Sequence, residues 1–492
     1  MTSKTALYQV AHIRSVELMA KDDLGLSEDE LMASAGASAF STLCKLYPRV
    51  RSIAVFCGSG SNAGDGYVLA RLAQEKGYSV IVNQYKSIES LPPAACHAAL
   101  QALAAGVACQ CIDDPIDSEV ELIVDALLGI GLKGKVHGPL ATAINQINDA
   151  KLPVISLDVP SGLDADTGQV MGVCVRASQT ITFIGNKLGL MTMDGGDYCG
   201  EIICQNLKLD KCLAVNEPAV LLLDENLNKT LLPPRLKNSH KGQFGHVLVI
   251  GGNYGMPGSV FMAANAALRV GAGVVTIATR PEHANQVLPS LPEVMIYGID
   301  GSAKLQDLIE KATVCIIGPG LGEDDWAKAL FSSALASQLP MVIDASALRL
   351  LVKNHQHDDN WILTPHPGEA ASLLNCTTAD IQKDRYQAIL RLQELYGGNV
   401  ILKGAGSLIA TDDSKVYLCS AGNPGMASAG MGDALAGVIG GLVAQGLLLA
   451  DAAKLGTWLH ASAGDAAAAE KGERGIVASD LMPYLQRLVN LG

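Results

Sequence analysis

Short, uninterrupted apolar runs that stop at Gly, Asp or Ser and hand over to helical patterns recur along this chain of 492 residues, and they leave it few folds. A strand that is apolar on both faces must be covered on both faces, which is the condition of a parallel sheet held between two layers of helix. Ser52 to Cys57 is the first clear case: SIAVFC runs into the glycine-rich stretch Gly58 to Gly66 and then into the helical pattern YVLARLAQEKG. Ser79 to Tyr85, Glu121 to Leu128 and Pro153 to Val159 repeat the grammar. Upstream, LSEDELMASAGASAFSTLCKL reads as an amphipathic helix opened by a capping box of Ser27 and Glu30.

A chain this long exceeds one ordinary core, so two domains are expected. After TITFIG, the stretch from Leu207 to Leu236 loses periodicity and carries Glu217-Pro218 and Pro233-Pro234. The boundary is placed there, near residues 212 to 230, giving domains 1–215 and 225–492. The grammar then restarts with HVLVIGG, GVVTIAT, TVCIIGPGLG, PMVIDAS, WILTPHPGE, NVILKGAG and KVYLCSAG, with helical patterns such as Asp325 to Leu339 and Ala379 to Tyr396 between runs. Both halves are α/β.

Several classes are disfavoured by composition. With 36 basic and 49 acidic residues, a net charge of −13, the chain lacks the basic face of a nucleic-acid binder. The most apolar run, Ala434 to Ala450, is broken by Gly437, Gly440, Gly441 and Gln445, so it reads as a buried helix and not as a membrane span. Twelve scattered cysteines without a CxxC pair, behind an N-terminus with no apolar core of signal length, predict reduced thiols and a cytoplasmic setting. Low charge and many small residues permit large interfaces, and a homo-oligomer is expected.

Ligand chemistry is expected where parallel strands end at their carboxyl side. In the first half this edge gathers Asn62, Asp65, Asp125, Asp158 and Ser161, oxygen ligands that suit a hard cation and equally suit ribose hydroxyls; each acid alone is also explained as a helix cap. Gly129-Ile130-Gly131-Leu132-Lys133-Gly134-Lys135 adds flexible backbone and two cations for a phosphate. In the second half, Gly318 to Gly322, Asp344, His366 and Lys403 lie at strand ends. His366 stands between two prolines and is held by them, or is simply a surface turn residue. Lys403-Gly404-Ala405-Gly406-Ser407 offers a cation and backbone amides to a diphosphate, and no Walker lysine loop occurs. GNPGMASAGMGDALAG, Gly422 to Gly437, carries one charge, Asp433. Amides leading into a helix make an anion hole, where a carboxylate serves better as a proton acceptor than as an anion ligand. The plainer reading of Asp433 is a cap.

As a set, the motifs resemble a known family. Gly430-Met431-Gly432-Asp433 resembles the ribokinase-like superfamily, and KGQFGHVLVIGG, AALRVGAG, GPGLG, TPHPGE, KGAGS and GNPGMASAGMGD resemble ADP-dependent NAD(P)H-hydrate dehydratases. SNAGDGYVLAR, VDALLGIGLKG and LDVPSGLDADTG are similar to NAD(P)H-hydrate epimerases, and the fused order, over nearly the whole chain, resembles the bifunctional NAD(P)H-hydrate repair enzymes. The resemblance implies an N-terminal Rossmann-like three-layer sheet and a C-terminal ribokinase-like α/β/α domain. It implies repair of NADH and NADPH hydrates: epimerisation of R and S forms, then dehydration of the S form with ADP as co-substrate, together with magnesium, to give NAD(P)H, AMP and phosphate.

Carried over residue by residue, it implies potassium at Asn62, Asp125 and Ser161. Hydrate contacts are implied at Ser61, Asn62, Ala63, Gly64, Asp65, Gly129, Ile130, Gly131, Leu132, Lys133, Gly134, Lys135 and Asp158, with Asp65 or Asp158 carrying the proton. In the second half it implies hydrate contacts at Ala264, Gly320, His366 and Asp433, adenine nucleotide at Lys403, Gly404, Ala405, Gly406, Ser407 and Gly432, and Asp433 as base. Two departures stand out: SNAGDG where the family commonly has NNGGDG, and AGMGD where many members have GGTGD. Neither removes a ligand oxygen or the base, so both activities are expected. A ribokinase-like vitamin-precursor kinase with an N-terminal nucleotide-binding module is the rival reading.

Overall fold

The computed structural model describes residues 5–287 and 291–490. The chain divides into two compact units, Met1–Leu221 and Leu222–Gly492.

In the first unit seven parallel strands lie in the order Ala108–Cys111, Ser79–Gln84, Ser52–Cys57, Leu122–Ala126, Val154–Leu157, Gln179–Phe183, Glu201–Gln205. The winding starts at Ser52–Cys57, runs outward through two strands, then returns to build the other side. Where it reverses, between Ser52–Cys57 and Leu122–Ala126, the following loops diverge and leave a crevice. Alternate residues of Ser52–Cys57 serve opposite layers. Ile53, Val55 and Cys57 pack with Met32, Tyr67 and Ala98 from three helices, whereas Ala54 and Phe56 pack with Ala143, Ile144 and Ile147 of the Pro139–Asp149 helix.

The expected glycine loop is mostly helix. The helix runs Ser61–Glu75, with Gly60 as its cap, so Asn62 and Asp65 occupy its first turns. Gly66 is there for proximity: a Cβ on it would stand 2.7 Å from the Ala126 Cβ on the neighbouring strand. The expected Ser27–Glu30 box is present, with the Ser27 backbone N–H donating to Glu30 Oε2 at 2.8 Å and the Glu30 N–H donating to Ser27 Oγ at 3.2 Å.

The second unit repeats the winding. Its strands lie in the order Met295–Gly298, Val274–Thr279, His246–Ile250, Val314–Ile317, Met341–Ile343, Trp361–Leu363, Asn399–Leu402, Ser407–Ala410, Val416–Cys419, parallel up to Asn399–Leu402 and antiparallel beyond it. Here the reversal falls between His246–Ile250 and Val314–Ile317. The Met431–Ala444 helix presses on the Pro257–Arg269 helix at Gly437, where a Cβ would meet the Ala263 carbonyl oxygen at 2.1 Å. Val247, Val249, Ala263, Ala434 and Val438 fill the core beneath.

Two expected helices are each a pair. The Ala434 to Ala450 run stops at Ala444, turns at Gly446 with φ 94°, and resumes as Leu449–Lys471. Ala379 to Tyr396 splits into Thr378–Lys383 and Arg385–Tyr396, because Asp384 caps the second helix through the Gln387 N–H at 3.0 Å. Among the described residues no helix is long and apolar enough to cross a membrane.

Candidate active sites

In the second unit Asp433 lies in the first turn of Met431–Ala444, behind Gly430, whose φ of 87° turns the chain into the helix. Burial, then the neighbouring Asp344, push its carboxyl up to about 7, against a hydrogen bond from the Ser259 hydroxyl and the pull of Lys403. Lys403 Nζ stands 2.9 Å from Asp344 Oδ1 and 3.8 Å from Glu369 Oε2. Burial disfavours this ammonium, but Asp344 and Glu369 outweigh it and hold the pKa up. Asp344 Oδ1 also accepts the Thr364 hydroxyl at 2.7 Å. Gly432 keeps the space open, since a Cβ on it would lie 3.2 Å from Lys403 Nζ. Three carboxylates around one lysine beside a helix N-terminus form a site that can take a proton and steady a polyanion.

His366 is both held and exposed. It caps the Pro367–Leu373 helix by accepting the Gly368 and Glu369 N–H groups on Nδ1 at 3.0 and 3.3 Å, while its side chain is 55% exposed. The Lys403 to Ser407 turn is closed by Ser407 Oγ, which donates to the Gly404 carbonyl at 3.0 Å and accepts its N–H at 3.3 Å. Gly320 adopts φ 58° and its carbonyl accepts the Asn253 N–H at 2.7 Å, joining the two loops at the winding reversal. Ala264, on the Pro257–Arg269 helix, is fully buried in the apolar core.

In the first unit Asp125 is fully buried at its strand end and saturated with donors. Its Oδ1 accepts Ser161 Oγ at 2.5 Å and Leu127 N at 3.2 Å, and its Oδ2 accepts Ser156 Oγ at 2.8 Å and Ser161 N at 2.9 Å. Burial still raises its pKa. Ser161 Oγ also accepts the Leu128 N–H at 2.8 Å. Asn62 donates from Nδ2 to the Leu157 carbonyl at 3.2 Å, but its Oδ1 is buried with no partner. A Cβ on Gly129 would lie 3.3 Å from both Asn62 Cβ and Asp158 Oδ2, so these residues meet around the Leu127 to Gly129 turn. Lys133, Gly134 and Lys135 extend beyond it, exposed. Ala63 and Gly64 are buried in the helix, Ser61 is exposed at its start, and Asp65 is partly open. Burial pushes the Asp65 carboxyl well above the usual range, with Asp158 and Glu17 adding to the rise and Lys187 opposing it.

Residues 247–487 match the family described as NAD(P)H-hydrate dehydratase, and residues 28–189 match the YjeF-related protein N-terminus. The bifunctional NAD(P)H-hydrate repair enzyme Nnr of Coxiella burnetii is 49% identical over 99% of this chain and 100% of its own length. The chain belongs to the bifunctional NAD(P)H-hydrate repair enzymes. Among solved structures, a ribokinase-like superfamily protein of Enterococcus faecalis superposes with a TM-score of 0.51 at 28% identity, covering 55% of this chain and 94% of that one. The ADP/ATP-dependent NAD(P)H-hydrate dehydratase of Bacillus subtilis, co-crystallised with ATP and Mg2+, gives a TM-score of 0.50 at 29% identity over 54% of this chain and 96% of that one. The second unit of this repair-enzyme relative thus has the ribokinase-like fold, and the first unit's strand order is that of a doubly wound, Rossmann-like sheet.

Four residues at the sites escape sequence reasoning. Arg385, almost fully buried, donates to the carbonyls of Leu402, Lys403 and Gly406 at 3.0 to 3.4 Å and so holds the Lys403 turn from beneath. Buried His460, its pKa pushed down to about 4 by burial and then by Lys403, bonds to the Met431 backbone. Glu17 and Lys187 flank Asp65 and Asp158. None sits in a glycine-rich motif; Lys187 follows the expected strand TITFIG by two residues, but only the fold brings it to Asp158 and the other three to their sites.

Proposed function

We propose that this chain repairs NADH and NADPH hydrated at C6 of the nicotinamide ring. The Met1–Leu221 unit interconverts the R and S hydrates, and the Leu222–Gly492 unit dehydrates the S form with ADP. Hydroxide is a poor leaving group and phosphate a good one. Asp433 takes the proton of the C6 hydroxyl, and that oxygen attacks the β-phosphorus of ADP with AMP leaving. Phosphate then leaves C6 as a proton leaves C5, which restores the dihydronicotinamide. The observation that carries this reading is the Asp433 carboxyl, raised to about 7 beside helix N-terminal amides and Lys403: a base matched to neutral pH where a phosphoryl group can be steadied. Lys403 to Ser407 and Gly432 take the adenine nucleotide, supported by the ATP and Mg2+ in the Bacillus subtilis relative, and His366 and Gly320 face the hydrate.

In the first unit, Asp65 and Asp158 supply the proton donor and acceptor that inversion at C6 needs. The buried Asn62 Oδ1, which has no partner, fits a potassium ion held with Asp125 and Ser161 from the same strand-end edge, and the ion would supply fixed positive charge for the substrate's anionic groups. We place the protein in the cytoplasm as a homo-oligomer: twelve free thiols support the first, and its many small residues permit large interfaces.

The deciding experiment follows dihydronicotinamide absorbance from a mixed hydrate preparation with ADP or ATP, with and without potassium. Complete recovery of NADH with release of AMP or ADP and phosphate is expected. A phosphorylated organic product accumulating with ATP, and no NADH, would instead establish a small-molecule kinase.

A further inference from the structure

Lys187 is 1% exposed, in a two-residue strand, Asn186–Lys187, that pairs with Ala6–Tyr8. Its three N–H groups are all used: on Asp158 Oδ1, on Thr182 Oγ1 at 2.9 Å and on the Phe183 carbonyl at 2.8 Å. A buried ion pair is a weak source of stability, because desolvating both charges offsets most of their attraction. Fold stability alone therefore does not explain a lysine here. Asp158 also holds φ 66°, a left-handed backbone that a non-glycine residue adopts at a cost. One of its oxygens is tied to Lys187, and the other, Oδ2, lies over Gly129, 3.3 Å from where a Cβ would stand.

We propose that Lys187 is a positioning residue of the first-unit site, which fixes Asp158 through Oδ1 so that Oδ2 is presented to the substrate at the Gly129 turn. This inference rests on the epimerase reading of that unit. Lys187 does more than aim the carboxylate. The charged and titratable groups around the pair are Asp65 and Glu17, with Arg14 and Glu28 beside Glu17 and the Cys204 thiol beside Lys187. Among three carboxyl groups Lys187 is the cation that contacts Asp158 directly, and its charge also opposes the rise of the Asp65 carboxyl.

The test measures R-to-S conversion of isolated R hydrate by the full-length chain, by chromatography and with ADP withheld. Lys187→Met is expected to lower kcat about 100-fold or more with KM within about threefold, the range for a misdirected acid–base group. The acid limb of its pH profile should move to higher pH, and Lys187→Arg should restore about a tenth of the wild-type rate. Unchanged kcat and an unmoved profile in Lys187→Met overturn the proposal. If the wild-type chain converts R to S no faster than buffer, the epimerase reading itself falls, a distinct result. Should hydrogen exchange show that Lys187→Met unfolds the first unit, Thr182→Val decides: it removes one acceptor at constant volume, and a several-fold loss of kcat supports the role while wild-type kcat refutes it.

Discussion

Asp433→Asn should slow dehydration by orders of magnitude and yet stabilise the second unit at pH 8. The folded state raises this carboxyl from 3.8 to about 7, mainly by burying it, so ionisation opposes folding. Below about pH 4 the group is protonated in both states, and Asp and Asn behave alike. As pH climbs from about 4 to about 7 the unfolded chain releases its proton first, and stability falls until the folded group ionises too. A shift of about three units is worth about 4 kcal/mol at full value, at about 1.4 kcal/mol per unit. The carboxyl keeps some contact with water, which screens it, so about 1–2 kcal/mol is expected. Asparagine still accepts the Ser259 hydroxyl through its carbonyl oxygen. All three tryptophans, Trp326, Trp361 and Trp458, lie in the second unit, and their fluorescence during urea unfolding follows that unit alone. The variant's midpoint should exceed the wild type's at pH 8 and match it at pH 4. Equal midpoints at pH 8, or a lower one for the variant, refute the account of Asp433 as a base held in an unfavourable environment.

Wild-type dehydration should rise through about pH 7 as Asp433 loses its proton, while Asp433→Asn loses about 10²–10⁴-fold in kcat with ADP binding retained, as calorimetry would check. In Asp65→Asn, NADH recovery from mixed hydrate with ADP should stop at the S fraction and resume when wild-type chain is added. Gly66→Ala forces a methyl to within 2.7 Å of Ala126 Cβ and should cost about 1–3 kcal/mol, read as a shorter half-life of epimerase activity on warming with dehydratase half-life unchanged. Arg385→Met frees the Lys403 turn and leaves three carbonyls without their donor, so the ADP KM should rise about tenfold with a smaller change for the hydrate, measured by initial rates.

The strand-end rule brings Asn62, Asp125, Asp158 and Ser161 together because they follow parallel strands, and alternation of apolar runs with glycine turns carries that far. It fails at the glycines of Ser61–Glu75. Gly64 and Gly66 look like loop residues in a string, but their use is set by Met32 and Ala126, which lie distant in sequence. Lys187 and Arg385 are invisible for the same reason. An arginine opening a helical pattern carries no sign that three carbonyls from another segment will enclose it, and a lysine in TFIGNKLGL, though Thr182 and Phe183 lie in the same string, carries no sign of Asp158. The pKa of Asp433 likewise depends on Asp344 and Glu369, which its own loop does not contain.

Gly437 has a kinetic consequence. With the Ala263 carbonyl filling the place of its side chain, the helix that carries Asp433 is seated backbone against backbone, and no side chain there can swing aside to let it slide. On the proposed mechanism Asp433 is therefore the stationary jaw of the second site. On the same mechanism, shielding the phosphoryl group from water would fall to the light Gly318 to Gly322 and Lys403 to Ser407 turns, and the pace of turnover should follow their movement and not any travel of the acid.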